Sequence, residues 1–278
     1  MEVITSVQNS KVKLARALMG RPKERREAGA FVAEGVRLVE DAARAQWPIR
    51  FVLFDATLSE RGMSQVESLK SQGADVEEVT PELMKSISDT EASQGILAIL
   101  KLTNLPIPRL PTFLLIPDQI RDPGNLGTLI RSANAAGVDA VLIPPETTDP
   151  FAPKAVRAGM GAHFRVPILS MGWEEIQRNV EGASHLASQE ESSPRGATHS
   201  GLQVYLADMA GESCWDMDLR QPLALIVGSE AEGASESARM LSSQRIKIPM
   251  AGETESLNAA VAGSVLMFEV MRQRSKEK

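Results

Sequence analysis

Three short stretches of the chain concentrate residues that could do chemistry. Residues 121–137, RDPGNLGTLIRSANAAG, set Asn125 and Arg131 among Pro123, Gly124 and Gly127. Residues 228–235, GSEAEGAS, carry Glu230 between two glycines, and residues 250–260, MAGETESLNAA, carry Ser256 and Asn258. An arginine is a fixed cation with a planar fork of donors, suited to orienting an anion or a developing oxyanion and poorly suited to removing a proton. Phosphate binding is the first chemistry to weigh. The stretch at 121–137 offers only G-x-x-G, whereas a dinucleotide loop needs G-x-G-x-x-G and a nucleotide phosphate loop needs G-x-x-x-x-G-K-[ST]. No acidic residue follows at a convincing ribose position about 20 residues on. Taken singly, each stretch also has a plain structural reading, as a turn glycine or as Ser256 capping a helix.

All three stretches follow apolar runs that read as buried strands: TFLLIPD, PLALIVG and RIKIPM. Further strands are expected at AVLIP, RVPIL, SHLAS and VYLAD, and helices at GTLIRSANAAG, PFAPKAVRAGMGA and SLNAAVAGSVLMFEVMRQRS, the last beginning near Ser256. Apolar strands alternating with helices predict a parallel α/β sheet covered on both faces. Ligands of such sheets bind where strand ends deliver small and polar residues, which is where the three stretches fall.

The first hundred residues read as a smaller α/β unit. NSKVKLARALMG has helical spacing and IRFVLFD and QGILAILKL read as strands, while PELMKSIS is opened by Thr80 as cap and Pro81 in the first turn. Residues 103–111 hold three prolines and read as a linker. The expected domains are therefore 1–102 and 112–278.

At 278 residues the chain is long enough for two cores, and its 43% hydrophobic and 24% charged content are those of a soluble globular protein. No apolar run approaches the roughly 18 residues of a membrane span, and the N-terminus lacks the pattern of a secretory signal. The single cysteine, Cys214, excludes an internal disulfide, fits a cytoplasmic location, and reads as a small buried apolar residue. His163, His185 and His199 lack metal-ligand spacing, and no metal is expected; His163 reads as structural. A net charge of −6 argues against indiscriminate nucleic-acid binding, yet residues 11–26 carry seven basic side chains and one acid. Lys11, Lys13, Arg16, Arg25 and Arg26 form either a solvated helix face or a phosphate-contact surface.

In order and spacing, DQIRDPGNLGTLIRSANAAGVDAVLI, LALIVGSEAEGAS and IKIPMAGETESLNAAVAGSVLMFEVMRQR resemble the three motifs of the SpoU/TrmH family of RNA 2′-O-ribose methyltransferases. The N-terminal ITSVQNSKVKLARAL and FVAEGVRLVEDA are similar to the L30e-like RNA-binding domain found in many members. The resemblance implies a C-terminal domain tied in a deep trefoil knot, a homodimer formed through that domain, and S-adenosylmethionine as cofactor. It implies cofactor contacts at Gly228, Ile248, Met250 and Leu257, with a glycine at 228 to leave room for the ligand. It implies that Arg131 approaches the 2′-hydroxyl, with Asn125, Glu230, Ser256 and Asn258 as the other catalytic-site polar residues. Under this resemblance the basic cluster becomes an RNA surface, with structured ribosomal RNA favoured over transfer RNA as substrate. The alternatives are a tRNA methyltransferase, or a non-catalytic RNA-binding protein that keeps the fold.

Overall fold

The structure is a computed structural model that describes residues 3–89, 93–189, 202–229, 232–252 and 256–275, the backbone alone over 182–189. Two compact units emerge, Met1–Thr103 with Asp149–Phe164, and Asn104–Thr148 with Arg165–Lys278.

The first unit is built on a four-stranded sheet, β1 (Ala30–Glu34), β2 (Ile49–Phe54), β3 (Val76–Glu78) and β4 (Ile96–Lys101), in the order β1-β4-β2-β3. β4 runs antiparallel to both of its neighbours, and β2 and β3 are parallel. Its helices are α1 (Ser10–Gly20), α2 (Pro22–Ala28), α3 (Val36–Arg44), α4 (Glu60–Ser71) and α5 (Pro81–Ile87). Local chemistry starts them as expected: Asn9 accepts from the Lys11 and Val12 amides, and Thr80 accepts from the Leu83 amide ahead of Pro81. One core joins Val12, Ala15 and Leu18 of α1, Leu83, Met84 and Ile87 of α5, and the inward positions of β1, β2 and β4.

The second unit is a six-stranded sheet in which every pairing is parallel. Along the chain it runs β5 (Phe113–Pro117), α6 (Pro123–Ala136), β6 (Ala140–Ile143), then, after α7 (Pro153–Gly159), β7 (Ile168–Ser170) and α8 (Trp173–Gln189). It continues through β8 (Gln203–Ser213), β9 (Leu223–Val227), α9 (Glu236–Leu241), β10 (Gln244–Lys247) and α10 (Ala259–Ser275), and the strand order is β10-β8-β9-β5-β6-β7. Alternate positions of the central strands face opposite ways. Leu114, Ile116, Ala224 and Ile226 pack with Ile176 and Val180 of α8 and Ala238 of α9, whereas Val227 faces Gly263 of α10, beside Leu129 of α6.

Four expectations change. SHLAS, expected as a strand, lies within α8, because WEEIQRNVEGASHLASQ sustains one helix. The helix expected from Gly127 starts four residues earlier: Asp122 caps α6, Pro123 opens it, and Gly124 and Gly127 are helical. α10 begins at Ala259, and its first amides are capped by Asn258 rather than by Ser256. Asp149–Phe164, within the stretch assigned above to the second domain, packs in the first unit. Phe151 and Phe164 meet Phe31 at 4.9 and 6.4 Å between ring centroids, and Asp149 accepts from the buried Arg25 at 2.6 Å. Short sequence windows cannot register such aromatic contacts.

Candidate active site

At the C-terminal ends of β9 and β10 the second unit encloses a cavity of about 280 Å³. Its walls include Gly228, Ile248, Met250, Ser256 and Leu257, so all four expected cofactor contacts and one expected catalytic residue meet there. A break in sheet register forms another wall. Arg245 of β10 pairs with Leu206, but Ile246 pairs with Glu212, so residues 207–211 of β8 bulge out and present Ala207, Asp208 and Met209 to the cavity. Gly211 permits the bulge, since a Cβ there would lie 2.5 Å from the Arg245 carbonyl carbon.

The turn after β9 is closed by the Ser229 amide donating to the Gly233 carbonyl at 2.9 Å and the Gly233 amide donating back at 3.1 Å. Gly233 holds φ at +72°. A Cβ on Gly228 would meet the Gly233 carbonyl group at 2.9 Å. Glycine is needed at 228 for the turn to close on itself, a structural reason that stands beside the expected one of leaving room for a ligand. The turn is also anchored from β5. Asp118 is fully buried, and one of its carboxylate oxygens accepts from the Ser235 amide at 2.6 Å. Its second oxygen is buried without a partner among the described residues, and desolvation pushes the carboxyl's pKa up. Sequence reasoning missed Asp118; its signal is a lone carboxylate at the end of an otherwise apolar strand.

α6 and α10 meet at their N-termini. The Asp122 side chain accepts from the Asn125 amide at 2.9 Å, and Asn258 Nδ2 donates to Asn125 Oδ1 at 3.2 Å. Asn258 Oδ1 accepts in turn from the Ala260 and Val261 amides. The structure thus brings Asn125 and Asn258 together beside Leu257 and Ser256. Arg131 stands apart. It lies on the exposed stripe of α6 with Thr128 and Ala135, its side chain makes no hydrogen bond or ion pair among the described residues, and it does not line the cavity. Glu230 falls outside the described residues.

The basic cluster divides. Lys11 is bound by Asp75 at 2.5 Å and Glu77 at 2.7 Å, and Arg25 is buried on Asp149 and the Leu18 and Gly20 carbonyls. Burial takes Arg25 out of an RNA surface, and two carboxylates already neutralise Lys11. Lys13, Arg16 and Arg26 are exposed, with Arg16 donating to Ser86 at 2.9 Å. His163 is buried; its Nε2 donates to the Pro150 carbonyl at 2.8 Å, and desolvation drives its pKa down to about 4. It is neutral and structural at pH 7. Burial lifts the Cys214 thiol to about 11, with the Glu269 carboxylate adding to the effect, so the thiol is inert. Among the described residues no group of His, Cys, Asp or Glu is arranged to hold a metal, and no helix is long and apolar enough to cross a membrane.

Residues 112–268 match the SpoU rRNA Methylase family, and residues 9–98 match the MRM3-like substrate binding domain. The chain belongs to the SpoU family. It is 30% identical to the 23S rRNA (uridine(2479)-2′-O)-methyltransferase of Streptomyces viridochromogenes, over 98% of this chain and 92% of that one. It is also 30% identical to the 23S rRNA (guanosine(2553)-2′-O)-methyltransferase RlmP of Bacillus subtilis, over 97% and 99%. Among solved structures it resembles the SpoU methyltransferase AviRb from S. viridochromogenes in complex with the cofactor AdoMet, with a TM-score of 0.80 and 28% identity over 96% of this chain and 99% of that one. As a SpoU protein the chain is an RNA methyltransferase, and its cofactor is S-adenosylmethionine.

Proposed function

We propose that this SpoU enzyme methylates a ribose 2′-hydroxyl of ribosomal RNA, with S-adenosylmethionine bound in the cavity at the ends of β9 and β10. The observation that carries the reading is the convergence of Gly228, Ile248, Met250 and Leu257 on one cavity from separate strand ends. The donor set fits the cofactor: Ile248, Leu257 and Leu266 offer apolar surface to an adenosyl group, and Gly228 and Gly233 offer backbone groups. When bound, the cofactor supplies a methyl group already activated by its sulfonium charge.

What remains for the chain's own residues is positioning. Asn125 and Asn258 lock the N-termini of α6 and α10 together, and Asp118 holds the far end of the turn. Ser256 stands in the cavity wall, and Glu230 lies between Gly228 and Gly233 in the sequence. Arg131 orients the ribose and its phosphate by charge and fork geometry and lowers the cost of the developing alkoxide.

The two-domain reading, with 1–102 binding substrate through an L30e-like fold and 112–278 catalytic apart from the Asp149–Phe164 stretch that packs in the first unit, is supported by the separate family matches. The deep trefoil knot of the second domain is part of the same reading, supported by the SpoU structural likeness. A homodimer through the second domain is supported by an apolar surface. Val261, Val265 and Phe268 recur at helical spacing on α10, and Val265 and Phe268 stand beside the half-exposed Trp215. The dimer and Arg131 are linked, because a guanidinium outside its own cavity wall needs RNA or a second copy to bring it to the reacting atoms.

The test is methyl transfer from labelled S-adenosylmethionine to protein-free ribosomal RNA. The product is digested by alkali, which cannot cleave next to a 2′-O-methyl ribose. Label in alkali-resistant dinucleotides is expected. Label on a base would overturn the ribose reading. Cofactor binding without transfer to any RNA would leave the non-catalytic RNA-binding alternative.

A further inference from the structure

The cavity carries more charge than its apolar walls explain. Three ionisable side chains from three different elements line it: Asp208 from the β8 bulge, Arg239 from α9 and Lys247 from β10. Asp208 is already satisfied, by Arg245 at 3.6 Å and by the Ala210 amide. The Arg239 side chain makes no hydrogen bond or ion pair among the described residues. Its guanidinium lies near the turn all the same, since a Cβ built on Gly233 would lie 3.7 Å from Nη2. A guanidinium with no partner among the described residues thus stands beside the turn that Gly228 and Gly233 close, in the wall of a largely apolar chamber.

A cation so placed suits an anion that enters the chamber with an apolar group attached. An uncompensated carboxylate beside apolar walls would pay a desolvation cost, and a planar fork offsets it with two parallel charge-assisted bonds. S-adenosylmethionine carries one carboxylate, at the methionine end. We propose that Arg239 holds that carboxylate and thereby fixes which end of the cavity receives the methionine chain. The assignment rests on the cofactor reading above. Lys247 lines the same cavity but contributes a point charge, without the fork. A phosphate of the RNA presents comparable anionic chemistry, so the test separates the two sources.

The experiment is calorimetric titration, without RNA, using two probes. S-adenosylhomocysteine keeps the carboxylate, and 5′-methylthioadenosine keeps the adenosine and sulfur but lacks the amino-acid end. Arg239→Gln should weaken S-adenosylhomocysteine roughly ten- to a hundredfold, the range for a lost charge-assisted pair, and leave methylthioadenosine unchanged. Arg239→Lys should fall between. Arg239 is exposed, so the variants should melt as the parent does. Equal loss for both probes, or for neither, overturns the assignment. If neither changes while RNA affinity falls, the anion is an RNA phosphate. If Lys247→Gln abolishes the preference and Arg239→Gln does not, the assignment is also overturned. Parent protein that binds neither probe overturns the cofactor reading itself, a result distinct from any failure of Arg239 alone.

Discussion

Arg131 and His163 are both single side chains whose roles follow from what surrounds them. Arg131 lies on the exposed stripe of α6 and outside the cavity wall. Its removal should therefore spare cofactor affinity. Arg131→Ala is expected to cut the single-turnover methylation rate by roughly two to four orders of magnitude, as for a lost oriented charge at a reacting oxygen. Arg131→Lys should keep part of the rate, because charge survives and the fork does not. Near-full activity in the alanine variant would remove Arg131 from the chemistry. For His163 the prediction concerns acid. Its pKa falls from an ordinary 6.5 to about 4 in the folded chain, so between those values the unfolded state takes up a proton that the folded state refuses. Stability is thus complete above pH 6.5 and is lost as pH falls towards 4, by on the order of 3 kcal/mol. Urea unfolding at pH 7.5 and pH 4.5 should differ less in His163→Gln than in the parent, and an unchanged difference would place the acid sensitivity elsewhere.

The helices and turns of the second unit are held at close approach by glycines, and the neighbour each glycine meets sets the cost of replacing it. Gly263 lets α10 lie against α6 and β9: a Cβ there would sit 2.5 Å from the tip of Leu129 and 3.1 Å from Val227. The Ser132–Ser264 hydroxyl contact at 2.7 Å marks the same approach. A leucine tip can shift, so Gly263→Ala should be mild. Gly263→Val should destabilise the unit by about 1–3 kcal/mol through overpacking, and loosen the Asn125–Asn258 contact. Gly228 meets backbone instead, at 2.9 Å. Gly228→Ala should therefore abolish S-adenosylmethionine binding while Gly263→Ala retains it, as calorimetry with parallel melting curves would read. Equal affinities in the two alanine variants would refute the contrast.

At the scale of the whole molecule, the exposed cations of α1 and α2 and the apolar face of α10 each imply a partner. Replacing Lys13, Arg16 and Arg26 together with Glu should weaken RNA binding and flatten its salt dependence, because each lost phosphate contact removes close to one released counterion. Cofactor affinity should not change. Arg25→Ala should act differently: it strands Asp149 and two carbonyls, so the first unit should lose about 3–5 kcal/mol before RNA affinity can be judged. Equal melting temperatures for Arg25→Ala and the triple variant would contradict that division. On α10, Phe268→Glu should convert a dimer to monomer in light scattering, since a charge on that face blocks a second copy. A parent protein that is monomeric at micromolar concentration would remove the dimer.

The sequence alone determined what depends on short windows and residue types. The apolar runs fixed the parallel strands, Thr80 with Pro81 opened a helix, and three motifs named the family and the four residues that meet in the cavity. The tertiary structure decided what depends on distant partners. Lys11 and Arg25 look like Lys13 and Arg26 in sequence, and only Asp75, Glu77 and Asp149, more than sixty residues away, separate them. Asp118 gained a role only when Ser235 came within 2.6 Å, and Gly228 gained its structural reason only when Gly233 folded back on it. Arg239 belongs to none of the three motifs, and the fold alone set its guanidinium at the cavity. Local pattern encodes which face a residue presents, because backbone geometry repeats every few residues. Which side chains stay unpaired is set by charges that the chain joins only on folding, and no short-range rule carries that information.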